Sequence, residues 1–379
     1  MEQLMTKKNN CMAWIVTVYI ICMVLSSCSP NHNDNQMHTL SEKELVSFDE
    51  AAMISLDHHT LQNIICMVDD GILVSENTTN SMKYIYIDSS GERNIVGEIN
   101  NFVISMKQSV LDYPYVYFYV GERINDPQDE MNVLVQLNLQ THEQIEYKYE
   151  DDSLLGIPTY VFNDKIVTIK NVVRDNTIET YIESFDVETN TRNIYMKCEY
   201  DCNCNEGEAV YGLCSDGGKL YVLHDVCDAI KGVRSYIEVL NYDYEICKSI
   251  YISEDIHDYA LTSLVSDMQV LGEYVYINNA SNNGFLGRIN EEVLQEIYRS
   301  NDFCISSDAS SECPLFYIRR SNTIFLLNDE GELSAVDLEI KNGYCLMAVF
   351  SYSDSCFLLL YRDDSPYIGY FMKRDKLMN

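Results

Sequence analysis

The sequence predicts an all-β body, and three features of its 379 residues carry that prediction. Short runs alternate apolar and polar residues with a period of two ("KYIYID", "YVYFYV", "KLYVLHD", "YVYINN", "TIFLLND", "CFLLLY"), the pattern of half-buried strands. A large apolar residue followed by Asp or Asn recurs at Ile87-Asp88, Leu137-Asn138, Phe185-Asp186, Leu240-Asn241, Ile289-Asn290 and Val336-Asp337, at successive spacings of 50, 48, 55, 49 and 47 residues. A polar turn and another strand follow each pair, and a hairpin with a compact turn precedes it, as in "CMVDDGILV", "VFNDKIVTI" and "LCSDGGKLYV". Four strands per unit of about fifty residues make one blade of a β-propeller.

In chain order, residues 1–10 are polar and carry Lys7 and Lys8, and Cys11 to Ser27 ("CMAWIVTVYIICMVLSS") is uncharged and mostly apolar. Ser29 to Glu44 turns abruptly polar. A short positive region, an apolar region and a small-residue exit are the anatomy of an export signal. The exit, Leu25-Ser26-Ser27-Cys28, resembles a bacterial lipobox. That resemblance implies a lipoprotein whose Cys28 thiol receives diacylglycerol and becomes the new N-terminus, with palmitate-type chains holding the protein to the cell membrane. Each buried methylene adds about 0.8 kcal/mol, so two chains anchor stably where one does not. An uncleaved signal anchor is the competing reading, because 17 apolar residues are the lower edge of a spanning helix. Either way the body faces away from the cytoplasm. The division is then a signal peptide at 1–27, a flexible tether at 28–44 and a propeller domain at 45–379.

Within the body, second strands are expected near Ile72, Tyr115, Ile166, Leu220, Tyr274, Ile324 and Phe357. Seven four-stranded blades follow, with six or eight still open because one degenerate repeat changes the count. The last unit ends early, on a third strand in "PYIGYFMKRDKLMN". An unpaired edge is a liability, and "ELVSFDEAAMISL" near the start is the segment able to close it. Glu291 to Ser300 looks helical, but its place in the repeat argues for a hairpin. The body resembles bacterial propellers of the TolB-like and YVTN-like kind in architecture alone, since no WD dipeptide, kelch glycine pair or YVTN signature is present. The rival architecture is a stacked pair of β-sandwiches.

The expected turns fall into two sets. Those within hairpins are short ("DDG", "NDK", "SDGG", "RSN"). The others are long and polar ("GERINDPQDE", "DVCDAIKGVR", "EDDSLLGIP", "DCNCNEGEA", "EDIHDYALTS", "CISSDASSEC"). Loops on a rigid scaffold carry function, so a binding surface belongs on the long-loop face, with His224, Asp225, Asp255, His257 and Asp258 as its candidate residues. Neighbouring His and Asp could serve acid–base chemistry, yet no GxSxG or HExxH motif accompanies them; solvated loop histidines are the plainer reading.

Net charge is −33, and without Lys7, Lys8 and Glu2 the remainder carries −34. Such a body repels nucleic acid and anionic lipid. It suits cationic partners, calcium, or simply colloidal stability. Eleven cysteines remain beyond Cys11, Cys22 and Cys28. Cys66, Cys214, Cys345 and Cys356 sit in strand patterns and read as buried thiols. Cys304 and Cys313 flank one loop and could form a disulfide. Cys198, Cys202 and Cys204 are weak metal candidates, because their spacing matches no common zinc knuckle; a disulfide and free thiols are the alternatives. No catalytic residue and no cofactor is assigned, with calcium or zinc the only ones considered. "DDG", "DSSG" and "NDEG" lack calcium-loop spacing and read as turns.

The expected function is an extracytoplasmic, lipid-anchored module that binds a protein, glycan or small molecule. The alternatives are a polymer-acting hydrolase or lyase on the same scaffold, and a structural component of an envelope assembly.

Overall fold

The computed structural model describes residues 44–47, 53–56, 64–77, 81–100, 109–112, 114–123, 130–148, 157–204, 206–261, 265–306, 315–328, 330–340, 343–363 and 367–378. The expected signal peptide, Cys28 and all of the expected tether but Glu44 lie outside those residues.

Two short N-terminal strands, β1 (Glu44–Ser47) and β2 (Met53–Leu56), precede a succession of antiparallel four-strand meanders. The first comprises β3 (Ile64–Val68), β4 (Gly71–Asn77), β5 (Ser81–Ile87) and β6 (Arg93–Asn100). The second comprises β7 (Ser109–Asp112), β8 (Tyr115–Arg123), β9 (Glu130–Asn138) and β10 (Gln144–Lys148). The third is β11 (Ile157–Phe162), β12 (Lys165–Arg174), β13 (Thr177–Asp186) and β14 (Thr191–Asp201). The fourth is β15 (Glu206–Ser215), β16 (Leu220–Asp228), β17 (Gly232–Leu240) and β18 (Ile246–Ile252), followed by helix α1 (Glu254–Ala260). The fifth is β19 (Val265–Leu271), β20 (Tyr274–Asn279), β21 (Asn283–Asn290) and β22 (Val293–Asn301). The sixth is β23 (Phe303–Ile305), β24 (Leu315–Ile318), β25 (Thr323–Leu327) and β26 (Leu333–Glu339). β27 (Cys345–Tyr352), β28 (Ser355–Tyr361) and β29 (Tyr367–Lys373) complete the series before a final turn of helix, α2 (Asp375–Met378). The described residues are thus nearly all β.

The recurring apolar–Asx pair has a local physical cause. At the end of the third strand, the side-chain oxygen of Asp88 accepts the backbone N–H groups of Ser90 and Glu92. Asn138 does the same for Gln140 and Thr141, Asp186 for Glu188 and Thr189, and Asn241 for Asp243 and Glu245. Each side chain substitutes for strand partners while the chain reverses. The sixth unit departs from the expectation. Its turn-forming residue is Asn328, which accepts from Glu330 and Glu332, whereas Asp337 lies inside β26 and accepts from Thr323 Oγ1 at 2.9 Å. Ile324 therefore belongs to a third strand, not a second, and "RSN" joins second to third strands. The first strand of that unit, β23, has three residues, too few for alternation to mark it. Glu291 to Ser300 forms the hairpin turn and strand β22, as its place in the repeat requires.

The N-terminal segment contributes twice. β2 pairs antiparallel with β29 and gives the last sheet its fourth strand, while β1 adds in parallel to β26 outside the sixth sheet. Core clusters form between successive sheets. Val116, Val135 and Leu137 pack on the first sheet, Ile166 and Phe185 on the second, and Leu213, Leu220 and Val222 on the third. Met268, Val275 and Phe285 pack on the fourth sheet, Phe303, Phe316 and Phe325 on the fifth, and Leu346, Leu358 and Tyr370 on the sixth. One further cluster joins Ile54, Phe357, Leu359 and Phe371 to Met67, Ile72 and Val74, so the last sheet packs against the first. Sheets packed face to face that return to their starting point are the organisation of a β-propeller. First strands β7, β11, β15 and β19 lie side by side, as do β27 and β3, which places these edges innermost.

Candidate loop-face site

In an antiparallel meander, turns between second and third strands share one end of the sheet with the connections between sheets. The fourth sheet is where this end is best built. β16 and β17 pair without interruption from Leu220↔Leu240 to Asp228↔Gly232, and this places Ser235 directly opposite Asp225. The Asp225 carboxylate is 2% exposed. It accepts a hydrogen bond from Ser235 Oγ at 2.5 Å and one from the Tyr211 hydroxyl, and its second oxygen lies 3.4 Å from His257 Nε2.

His257 arrives on α1, in the connection between the fourth and fifth sheets. The polar stretch "EDIHDYALTS" predicts a loop there. A seven-residue helix forms instead because Ile256 and Ala260, four apart, bury one face while Glu254 and Asp255 occupy the first turn, where the helix dipole favours negative charge. Asn279 fixes its other end, donating to the carbonyls of Tyr259 and Ala260 at 3.2 and 3.3 Å. The guanidinium of Arg299 lies over the Tyr259 ring at 5.2 Å. His257 Nδ1 faces Asp258 Oδ1 at 3.4 Å, so both ring nitrogens have carboxylate partners. The hydrogen bond to Asp225 pushes the imidazole pKa above its ordinary 6.5, against a smaller opposing effect of burial. The imidazolium is favoured. Its contribution to stability is complete below the ordinary value and is lost as pH rises through the raised one. Asp225→Asn should therefore lower the His257 pKa, read by NMR titration of its ring protons; an unchanged titration would separate the two residues.

His224 and Asp225 are neighbours in sequence but point to opposite faces of the sheet. His224 is 5% exposed, with Nε2 3.4 Å from Glu238 Oε1. Glu238 in turn accepts from Ser249 Oγ at 2.7 Å. The structure thus brings Asp225, His257 and Asp258 together, puts His224 in a separate buried pair, and leaves Asp255 exposed on the first turn of α1. Ser235, Tyr211 and Glu238 were missed. Ser235 was accessible to sequence reasoning, since a turn at 229–231 sets it opposite Asp225.

The cysteines are dispersed. Cys198 is buried in β14, its thiol pushed up to about 12 chiefly by burial and secondarily by Glu208, while Cys202 and Cys204 are exposed in the turn that follows. Among the described residues no three His, Cys, Asp or Glu side chains gather as metal ligands. Cys304 is a buried thiol, and Cys313 lies outside the described residues. The turns "DDG", "DSSG" and "NDEG" all join strands within hairpins; in the second, Asp88 is taken up by its own backbone.

One further titratable group, half-buried, stands on a first strand. Asp267, in β19, has its carboxyl pushed up from 3.8 to about 6 by burial, against weaker opposing hydrogen bonds from the Met268 N–H and the Gln269 side chain. Beside it, the Tyr160 hydroxyl of β11 reaches over to donate to the Met268 carbonyl at 3.0 Å.

No protein-family profile matches the chain, and no curated protein matches it in sequence. Among solved structures it is similar to an acylaminoacyl peptidase of Pyrococcus horikoshii, at 10% identity and TM-score 0.46, over 70% of this chain and 44% of that one. The chain thus spans less than half the length of that peptidase. It is also similar to the β-propeller domain of the Trilobed protease from Pyrococcus furiosus, at 10% identity and TM-score 0.45, over 70% of this chain and 80% of that one. BamB from Moraxella catarrhalis matches at 11% identity and TM-score 0.39, over 84% of this chain and 96% of that one.

Proposed function

We propose that the protein is an extracytoplasmic binding module, a seven-bladed propeller held to the cell membrane by acyl chains on Cys28, which engages a partner protein through its long-loop face. The observation that carries this reading over a hydrolase is the order of groups at Asp225. In a nucleophile–base–acid relay the imidazole stands between the hydroxyl and the carboxylate. Here the carboxylate stands in the middle, with Ser235 donating to it directly and His257 engaged by carboxylates at both nitrogens. No ring nitrogen is left to take a proton from a substrate or water. What the arrangement does is fasten α1 to the fourth sheet, and a rigid loop surface binds without the entropy cost of ordering itself.

Two experiments test the reading. Cys28→Ala should accumulate as an unprocessed precursor without lipid label; normal processing would remove the anchor. For the module itself, gently solubilised membranes should yield the protein with a stoichiometric partner, and a screen of glycosidic and ester substrates should show no turnover. Turnover that His257→Ala abolishes would reinstate the hydrolase.

A further inference from the structure

The fourth sheet presents two unlike ends. Of the nine large hydrophobic side chains exposed among the described residues, five (Ile230, Val233, Tyr242, Ile246 and Tyr251) belong to this sheet and its turns, so apolar exposure is concentrated here. At the long-loop end, the β16–β17 hairpin closes through an Asx turn in which Asp228 accepts the N–H groups of Ile230 and Lys231, followed by Gly232 at φ +78. The turn holds Ile230 at the tip, 94% exposed, with Val233 also exposed beside it. Lys231 and Arg234 flank them, exposed; their positive charge is felt by Asp228, and neither has an ion-pair partner among the described residues. On a chain of net charge −33, this is an apolar tip with unpaired cations.

At the opposite end of β17, the Asn241 turn presents Tyr242 and Ile246, 51% and 56% exposed, with Asp243 and Glu245 between them. Tyr242 is held by stacking on Phe162 with ring centroids 5.3 Å apart, and by its hydroxyl donating to the Gly217 carbonyl at 2.9 Å. This end is apolar and fixed, and Asp243 and Glu245 are the exposed carboxylates of the turn itself. Nine residues of β17 separate the two ends, about 30 Å of rigid strand, so one molecule cannot bring them together.

We infer that copies of this protein associate head to tail, the Ile230 hairpin tip of one seated on the Tyr242–Ile246 turn of the next. The occupant is a second copy because the charges match in both directions: Lys231 and Arg234 meet Asp243 and Glu245 around an apolar centre. Opposite charges at the rim set register and encounter rate, while the buried aliphatics supply affinity. The contact is heterologous, so it propagates along a line of molecules. It rests on the reading of the protein as an interaction module and names one of its partners.

The test is sedimentation of the full chain, each copy in its own lipid nanodisc, at rising concentration in low and high salt. Wild type should associate as concentration rises in the salt that screens repulsion between copies of net charge −33, and further salt should weaken the contact by screening its rim charges. Lys231→Glu with Arg234→Glu should weaken association at least tenfold, as should Asp243→Lys with Glu245→Lys, and an equimolar mixture of the two variants should recover it. The neutral pair Lys231→Gln and Arg234→Gln repeats the test without reversing charge, and circular dichroism checks that each variant is folded. A wild type that stays monomeric, reversals without effect, or a mixture that fails to recover would each overturn the inference. Loss of the Cys28 anchor is read separately by lipid labelling, and the sedimentation can then be run without nanodiscs.

Discussion

Asp267→Asn is expected to stabilise the protein at neutral pH. Asp267 has no cationic partner among the described residues, and burial holds its carboxyl at about 6 rather than the ordinary 3.8. A carboxyl whose folded value is raised contributes most when protonated, so its contribution is complete below the ordinary value and is lost as pH climbs through about 6. At pH 7 the charged form therefore opposes folding, by at most about 3 kcal/mol at 1.36 kcal/mol per pH unit of displacement, and by less where solvent reaches the half-buried carboxylate. Asparagine keeps the shape and one acceptor for the Met268 N–H while removing the charge. The measurement is the difference in unfolding free energy between wild type and Asp267→Asn from pH 4 to pH 8. It should be small in acid and grow through the interval in which Asp267 ionises. Taking the difference matters, because Asp88, Asp186, Asp228 and Asp354 are all lowered by hydrogen bonds and weaken the fold as pH falls. A difference that does not vary with pH would mean that the Asp267 carboxyl is solvated.

Asp267 also marks where sequence reasoning stops. Strand alternation and the apolar–Asx pairs were legible because both are local: a strand shows its faces every second residue, and an Asx turn is closed within four residues. The misplacement in the sixth unit has the same origin. Val336-Asp337 falls at the right spacing by coincidence, and a three-residue first strand shows no alternation. Asp225 and His257 could be assigned to one face, but not to one hydrogen bond. That depends on α1, whose seven residues carry only two buried positions. Ser235 needed only the hairpin register. The desolvation of Asp267 needed the first strands of separate sheets to converge, and no spacing within one strand encodes it.

Deleting residues 45–56 is expected to cost more than any single substitution within them. Those residues supply β2 and most of β1. In β2, Ile54 and Leu56 are 7% and 3% exposed. Ile54 sits so close to Gly369 that a Cβ there would lie 2.8 Å from its side chain, and it also touches the first sheet at Gly91. It therefore helps to join the last sheet to the first. Burying an Ile or Leu side chain contributes about 1.5–3 kcal/mol, so the two together represent about 3–6 kcal/mol before strand pairing is counted. Domains of ordinary stability have only about 5–15 kcal/mol in total. The deletion should lower the melting temperature sharply. It should also promote aggregation, because β29 would be left as an unpaired edge rich in apolar residues. Ile54→Ala gives a milder version, costing about 2–5 kcal/mol through the cavity it leaves. Removing residues 44–47 alone should cost less, since β1 only adds to the outside of a sheet already four strands wide. If the two short deletions proved equally harmless, the contact between the last and first sheets would have to be held by β27–β29 without help from the N-terminus. The sheet edges at that seam would then be stable in water unpaired, contrary to what an exposed apolar strand normally does.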